Sequence, residues 1–221
     1  SFYHYLIPLP YMKFDKNQIF IYNNYIRKAI RITFLSLFIY LKEGNFMDNK
    51  PTLIIMCGVP GAGKDYHIMN HRFFENLRAN VVSRDAIRFS MLKDGDDYFK
   101  NENKVFNQFV REIVAGLNEG RNVVANATHI NRASRDKLIK AIDARVSVKD
   151  YNIMFFVVQA PYETVLKQNN RRVGLKRVPD DTITNMFSKF SMPGYHEDKR
   201  ITDVYVLRNG KLMRKEGGNN G

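Results

Sequence analysis

The chain has 221 residues and a mass of 25.8 kDa, the size of one domain or of one domain with an appendage, which excludes a multidomain machine. With 44% apolar and 26% charged residues it is neither collagen-like nor mostly unfolded, and 35 Lys plus Arg against 22 Asp plus Glu leave a net charge of +13 that favours polyanionic partners such as nucleic acid or nucleotide phosphates. The single cysteine, Cys57, cannot close an internal disulfide, which excludes a disulfide-stapled secreted fold and fits a reducing cytoplasm.

In chain order, residues 1–46 differ from all that follows, since 12 of the 28 Phe and Tyr residues fall there. The most apolar run, 30–41, is interrupted by Arg31 and covers 12 residues, short of the ~20 that span a bilayer, so no stable membrane partner is implied. Lys42-Glu43-Gly44 back-translates to a purine-rich ribosome-binding consensus with Met47 at the usual spacing behind it. The leader is therefore read as untranslated DNA rendered as codons, with an amphipathic or partner-binding arm and a membrane anchor as the alternatives. The functional domain is expected over 47–215, followed by a flexible tail over 216–221.

From Thr52 onward, short apolar runs alternate with helical patterns. Thr52–Cys57, Asn80–Ser83, Asn122–Asn126, Tyr151–Gln159 and Asp203–Leu207 are each too short for a helix and mostly β-branched or aromatic. Val105, Phe109, Ile113 and Leu117 recur every four residues between them, the stripe of a helix laid on a sheet. This alternation predicts an α/β fold with a five-stranded parallel sheet and helices on its faces.

Gly58-Val59-Pro60-Gly61-Ala62-Gly63-Lys64 follows the first run and opens a helical pattern, the context that G-x-x-x-x-G-K requires. Glycines there let backbone N–H groups converge on phosphate oxygens, the helix N-terminus adds partial positive charge, and the lysine reaches the outer phosphates. The segment predicts a P-loop NTPase-type fold and a nucleotide site over Gly58, Pro60, Gly61, Ala62, Gly63, Lys64, Asp65 and Tyr66, with ATP or another nucleoside triphosphate as donor. Asp65 stands where a Ser or Thr normally offers its hydroxyl to magnesium. It is read as the metal ligand, in place of a carboxylate that is missing at Ala127.

The second run leads into Ser83-Arg84-Asp85-Ala86-Ile87-Arg88, where residues past a strand end line the ligand crevice of an open parallel sheet. A carboxylate at Asp85 is suited to accept a proton from an attacking hydroxyl, and Arg88, one turn on, to hold a phosphate of the acceptor. Helix capping by Asp85 and a solvated Arg88 is the competing reading. At the end of the third run, Asn126-Ala127-Thr128-His129-Ile130-Asn131 offers short polar groups suited to hydrogen-bonding an acceptor or to capping the next helix. After the fourth, 165–178 holds Lys167, Arg171, Arg172, Lys176 and Arg177 without an acid, as a basic helical lid that brings arginine onto the transferring phosphoryl group would, with a solvated charged face as the competing reading.

Residues 52 to about 208 resemble the kinase domain of phage polynucleotide 5′-kinase and its AAA-type P-loop kinase relatives. The resemblance rests on GVPGAGK at 58–64, SRDAIR at 83–88, ATHIN at 127–131 and the run from Asn169 to Pro179. It implies that Lys64 holds the donor phosphates, that Asp85 is the general base on a 5′-hydroxyl, and that Arg172 or the adjacent Arg171 is the lid arginine on the γ-phosphate. It further implies that Arg88 and Thr128, with His129 beside it, contact the acceptor. Asp65, Ala127 and Gln168 depart from the family pattern, and the DxDGT phosphatase signature is absent. The implied activity is polynucleotide 5′-kinase with ATP and magnesium. A kinase of a small molecule or nucleoside, or a catalytically weak nucleotide or nucleic-acid binding protein, is the alternative. The oligomeric state is left open.

Overall fold

Burial of the whole first strand, β1 (Thr52–Cys57), is what organises the molecule. In the computed structural model, which describes residues 50–148 and 150–217, every residue of β1 is buried, so its alternating side chains seed one core on each face. Leu53, Ile55 and Cys57 pack with Val105, Phe109, Ile113 and Leu117, while Ile54 and Met56 pack on the opposite face with Phe74, Val165 and Ile183. The expectations for residues 1–46 and for 218–221 lie outside the described residues.

The chain continues through α1 (Lys64–Asn70), α2 (Arg72–Leu77), β2 (Asn80–Ser83), α3 (Arg84–Met91), α4 (Glu102–Asn118) and β3 (Val123–Asn126). It then forms α5 (Arg132–Asp143), β4 (Asn152–Gln159), α6 (Tyr162–Asn170), α7 (Asp180–Ser188), β5 (Ile201–Arg208) and β6 (Lys211–Arg214). The four-residue stripe of α4 is fully buried at Val105, Phe109, Ile113 and Leu117, each with 0% exposure. Among the described residues no helix is long and apolar enough to cross a membrane.

The strand order is β2-β3-β1-β4-β5-β6, the first five parallel, with helices on both faces. Five strands were expected and six are present, β6 pairing antiparallel with β5. The missed signal is Asn209-Gly210: both residues take the left-handed conformation, φ 50° and 74°, which a two-residue hairpin turn requires and which this dipeptide favours. Arg214 of β6 also pairs with the buried Asp203 of β5, so the hairpin covers an otherwise unpaired carboxylate.

Register sets where the site lies. Leu53, Ile54 and Ile55 pair with Val123, Val124 and Ala125, and Ser83 pairs with Asn126, so β1, β2 and β3 end at one edge of the sheet. The residues that follow those ends are the phosphate loop, Asp85 and the 127–131 segment.

Candidate active site

The donor side is shaped by backbone. A Cβ added at Gly58 would stand 2.7 Å from the Val158 carbonyl oxygen, and one at Gly61, whose φ is +84°, would stand 2.9 Å from that of Val165. Only glycine lets the loop lie this close to β4 and α6. Gly58 N–H donates to the Thr128 carbonyl at 2.8 Å, which ties the loop to the segment after β3. α1 starts directly behind Gly63 with no side chain capping it, so its first N–H groups face the loop's hollow.

Lys64 Nζ donates to the carbonyls of Gly58 at 2.9 Å and Val59 at 3.1 Å, curled over the loop it serves. Burial lowers its pKa to about 8, partly offset by the negative charges of Asp65 and Asp85, while Arg172 pushes the same way as burial. A cavity of about 200 Å³ is lined by Gly61, Gly63, Lys64, Asp65, Tyr66, Gln168 and Arg172. Arg172 thus stands over the loop, whereas its neighbour Arg171 is exposed and does not line the cavity. A second cavity, about 380 Å³, adjoins the loop's first residues and is lined by Gly58, Val59, Gln159, Phe187, Phe190 and Arg208, among others.

The lid is closed at its base by a residue whose role the sequence did not reveal. Asn169, fully buried, donates through Nδ2 to the Val178 carbonyl at 2.7 Å and accepts from the Val178 N–H at 3.0 Å. A side-chain amide here imitates a strand partner and holds the two ends of the 170–178 loop together.

Asp65 accepts a hydrogen bond from Asn126 Nδ2 at 2.6 Å. The β3 residue that meets Asp65 is Asn126, the strand's last residue. Residues Asp65 and Asn126 are 61 apart in the chain, and only the pairing of β1 with β3 brings them together.

The acceptor side is a network of side chains. Ser83 caps α3, its hydroxyl accepting from Ala86 N–H at 3.3 Å, so Asp85 is free of capping duty. Asp85 keeps 66% of its side chain exposed, and its Oδ1 accepts from Arg88 at 2.5 Å and from the Tyr98 hydroxyl at 3.1 Å. Its Oδ2 receives no hydrogen bond from the described residues.

Arg88 is buried at 6% exposure and also donates to Glu102 at 2.7 Å, while Glu102 pairs in addition with Arg84. Its guanidinium is thereby occupied by two carboxylates and the Tyr98 hydroxyl, an arrangement that orients Asp85. Tyr98 and Glu102 were not identified from the sequence, because neither belongs to a local motif.

Thr128 is half-buried beside the loop it bonds. His129 does not face solvent: it is 4% exposed and stacks on Phe109 with ring centroids 6.2 Å apart. Burial and the nearby cations Arg84, Lys64 and Arg135 lower its pKa to about 3, so it stays neutral. Behind it, Arg135 is completely buried and bonds the His129 carbonyl at 3.2 Å, the Ser191 carbonyl at 3.1 Å and Glu197 at 2.6 and 2.8 Å. This pair, 62 residues apart in sequence, fixes the 127–131 segment against the 3-10 turn Tyr195–Glu197. Cys57 is buried in the core, its thiol pushed up to about 12 by that burial, and is chemically inert.

Comparison with known proteins agrees with this geometry. The family model described as AAA domain matches residues 53–193. L-seryl-tRNA(Sec) kinase of Methanococcus maripaludis is 26% identical over 169 residues, covering 74% of this chain and 62% of that protein. The chain thus spans about three fifths of the length of this curated relative. Among solved structures, the Pnkp1/Rnl/Hen1 RNA repair complex contains a chain similar to this one with a TM-score of 0.52 and 19% identity, covering 78% of this chain and 50% of that one. Chaetomium thermophilum Kti12 in complex with ADP-AlF3 is similar with a TM-score of 0.50 and 12% identity, covering 71% and 89%. These two share the fold. With a P-loop at the end of β1, a basic lid over it and a family match across most of the sheet, residues 53–193 are a P-loop kinase domain, and the chain belongs to the AAA domain family.

Proposed function

We propose that the protein transfers the γ-phosphoryl group of ATP, with magnesium, to a 5′-hydroxyl of a nucleic acid. The observation that carries this reading is the half-anchored carboxylate of Asp85: Arg88 and Tyr98 hold Oδ1, and Oδ2 is left for a proton. The acceptor hydroxyl attacks the γ-phosphorus, its proton goes to Asp85 Oδ2, and the bond from the γ-phosphorus to the bridging oxygen breaks to release ADP. Lys64 leaves the carbonyls of Gly58 and Val59 to meet the outer phosphates, and Arg172 neutralises charge on the transferring group. His129 stays neutral and contributes packing, and Thr128 and Arg171 are the further groups assigned to the acceptor.

The donor set suits magnesium. Asp65 would hold the ion through its carboxylate, with Asn126 steadying Oδ1, together with oxygens of the bound triphosphate. When bound, the ion neutralises charge on the triphosphate; the protein's part is to orient Asp65 and exclude bulk water. The larger cavity beside Gly58 has room for the donor's nucleobase.

A kinase of a small hydroxylated metabolite would share Lys64, Asp85 and Arg172 but would need no polyanion groove, whereas 29 Lys plus Arg against 20 Asp plus Glu from residue 47 on, a net charge of +9, suit one. The curated relative acts, by its name, on an RNA-borne seryl group, and one structural relative belongs to an RNA repair complex; both favour an acceptor attached to nucleic acid. We assign the activity to residues 47–215, since all the groups named lie there, and a chain beginning at Met47 should keep it. The deciding experiment is radiolabel transfer from ATP to a panel of 5′-hydroxyl oligonucleotides and small alcohols at several salt concentrations. Transfer to the oligonucleotides that weakens steeply with salt is expected. Transfer to small alcohols alone overturns the reading.

A further inference from the structure

Beside Asp85 lies an aromatic ledge that neither donor binding nor proton transfer uses. We propose that Phe99, backed by Tyr98 and Phe89, is a stacking platform for the terminal nucleobase of the acceptor; this rests on the reading of the site as a nucleic-acid 5′-kinase.

Phe99 is 61% exposed, unusual for a phenyl ring, and it is held there rather than left dangling. Its N–H donates to Asp97 Oδ1 at 2.8 Å, while Asp96 closes the same loop by accepting from Lys93 N–H at 3.1 Å and Lys100 Nζ at 2.7 Å. Tyr98 meets Phe99 edge-on at 4.9 Å and Phe89 at 6.0 Å, so the three rings support one another. Arg88 lies 4.5 Å from the Tyr98 ring and 5.8 Å from the Phe99 ring, fixing the ledge to the residue that orients the catalytic carboxylate. Tyr98 itself bonds Asp85, so the ledge begins within one side chain of the acceptor hydroxyl.

Charge selects the occupant. Asp97, whose carboxylate sits on the Phe99 N–H, puts a negative charge beside the ring, which suits an uncharged, flat group there better than a phosphodiester. A cation also stands by the rings, Lys176 of the lid reaching within 5.6 Å of the Phe89 ring, where it could meet a backbone phosphate of the acceptor. A small sugar or alcohol, lacking a π-face, would draw nothing from these rings. Base stacking on an aromatic side chain strengthens binding about five- to a hundred-fold.

The test compares a 5′-hydroxyl oligonucleotide with one whose terminal nucleoside lacks its base, for wild type, Phe99→Ala and Phe99→Trp. Wild type should show a KM about ten-fold higher on the abasic end, Phe99→Ala should erase the difference by raising KM on the base-bearing end, and Phe99→Trp should restore it. A fluorescent purine analogue at the terminal position should change its emission on binding without ATP, and lose that change in Phe99→Ala. Equal KM on both ends in wild type, with transfer to both, overturns the stacking platform alone. Absence of transfer to any oligonucleotide, with a small alcohol accepted, overturns the nucleic-acid reading and the platform with it.

Discussion

The two halves of the site are made of different material. Around the donor, the cavity is walled by backbone: glycines at 58 and 61 pressed against the carbonyls of Val158 and Val165, uncapped N–H groups of α1, and a lysine bonded to main-chain oxygens. On the side proposed for the acceptor, Asp85, Arg88, Tyr98 and Glu102 hold each other by side-chain bonds drawn from α3, the loop after it and α4. A backbone-built half depends on steric freedom at a few positions and tolerates variation in side chains around it. A side-chain-built half depends on every partner being present, because removing one leaves a charge misdirected or unpaired. Substitutions in the second should therefore damage turnover while leaving nucleotide binding intact.

The sharpest way to break this contrast is Asp85→Asn. An amide keeps the shape and the contact with Tyr98 but cannot take the acceptor's proton, so transfer should fall ~100- to 10,000-fold with ATP affinity nearly unchanged. Retention of more than about a tenth of wild-type turnover, measured against ATP binding by titration, removes Asp85 from its role as base.

Next in size is Glu197→Gln. With side chains exposed by 0% and 2%, the Arg135–Glu197 pair is the most buried ion pair among the described residues, and losing one partner strands a guanidinium that also holds the His129 and Ser191 carbonyls. Stability should drop by about 3 kcal/mol. Urea unfolding reads this directly, and a shift in midpoint below the equivalent of about 1 kcal/mol would show that Arg135 finds other partners.

Asp65→Ser sharpens the comparison from the donor side. If Asp65 is a metal ligand, ATP affinity in wild type should depend on magnesium about ten-fold more strongly than in the variant, since carboxylate and triphosphate repel without the ion between them. Affinities measured with magnesium and with chelator decide it. A variant that binds magnesium-ATP more tightly and transfers faster marks Asp65 as an impairment instead.

The smallest effect is a pH dependence of the donor half. Free Lys64, its pKa lowered to about 8 by burial, is charged below that pH and loses its proton above it, while the bound triphosphate requires the charged form. Affinity should be flat below pH 8 and weaken by up to about ten-fold per pH unit above it, with proton uptake on binding. Calorimetry in buffers of different ionisation heat measures that uptake. His129, held neutral by a pKa of about 3, should add no inflection between pH 5 and 8.

Local chemistry was enough for the donor half and for the sheet. G-x-x-x-x-G-K between a strand and a helix states its conformation through the glycines, and strands buried on both faces announce themselves as apolar runs, so β1 and the α4 stripe were legible residue by residue. Position after a strand end drew attention to Asp85, and the structure places it directly behind β2, on the first turn of α3. The exception is β6: five strands were expected, and the Asn209-Gly210 turn chemistry that signals the hairpin is what was missed.

What the tertiary structure alone decided are the partners. Asp65 meets Asn126 across 61 residues, Arg135 meets Glu197 across 62, and Arg88 meets Glu102 across 14. None of these pairs lies within a turn of helix or a hairpin, so no periodicity in the sequence records it. Burial made the difference for Arg88 and His129: the sequence displays a cation and an imidazole suited to an acceptor, and packing turned one into the bracket of a carboxylate and the other into a neutral ring on Phe109. Charge and hydrogen-bonding capacity are properties of a residue, but whether they face solvent, a ligand or another side chain depends on which strands lie side by side.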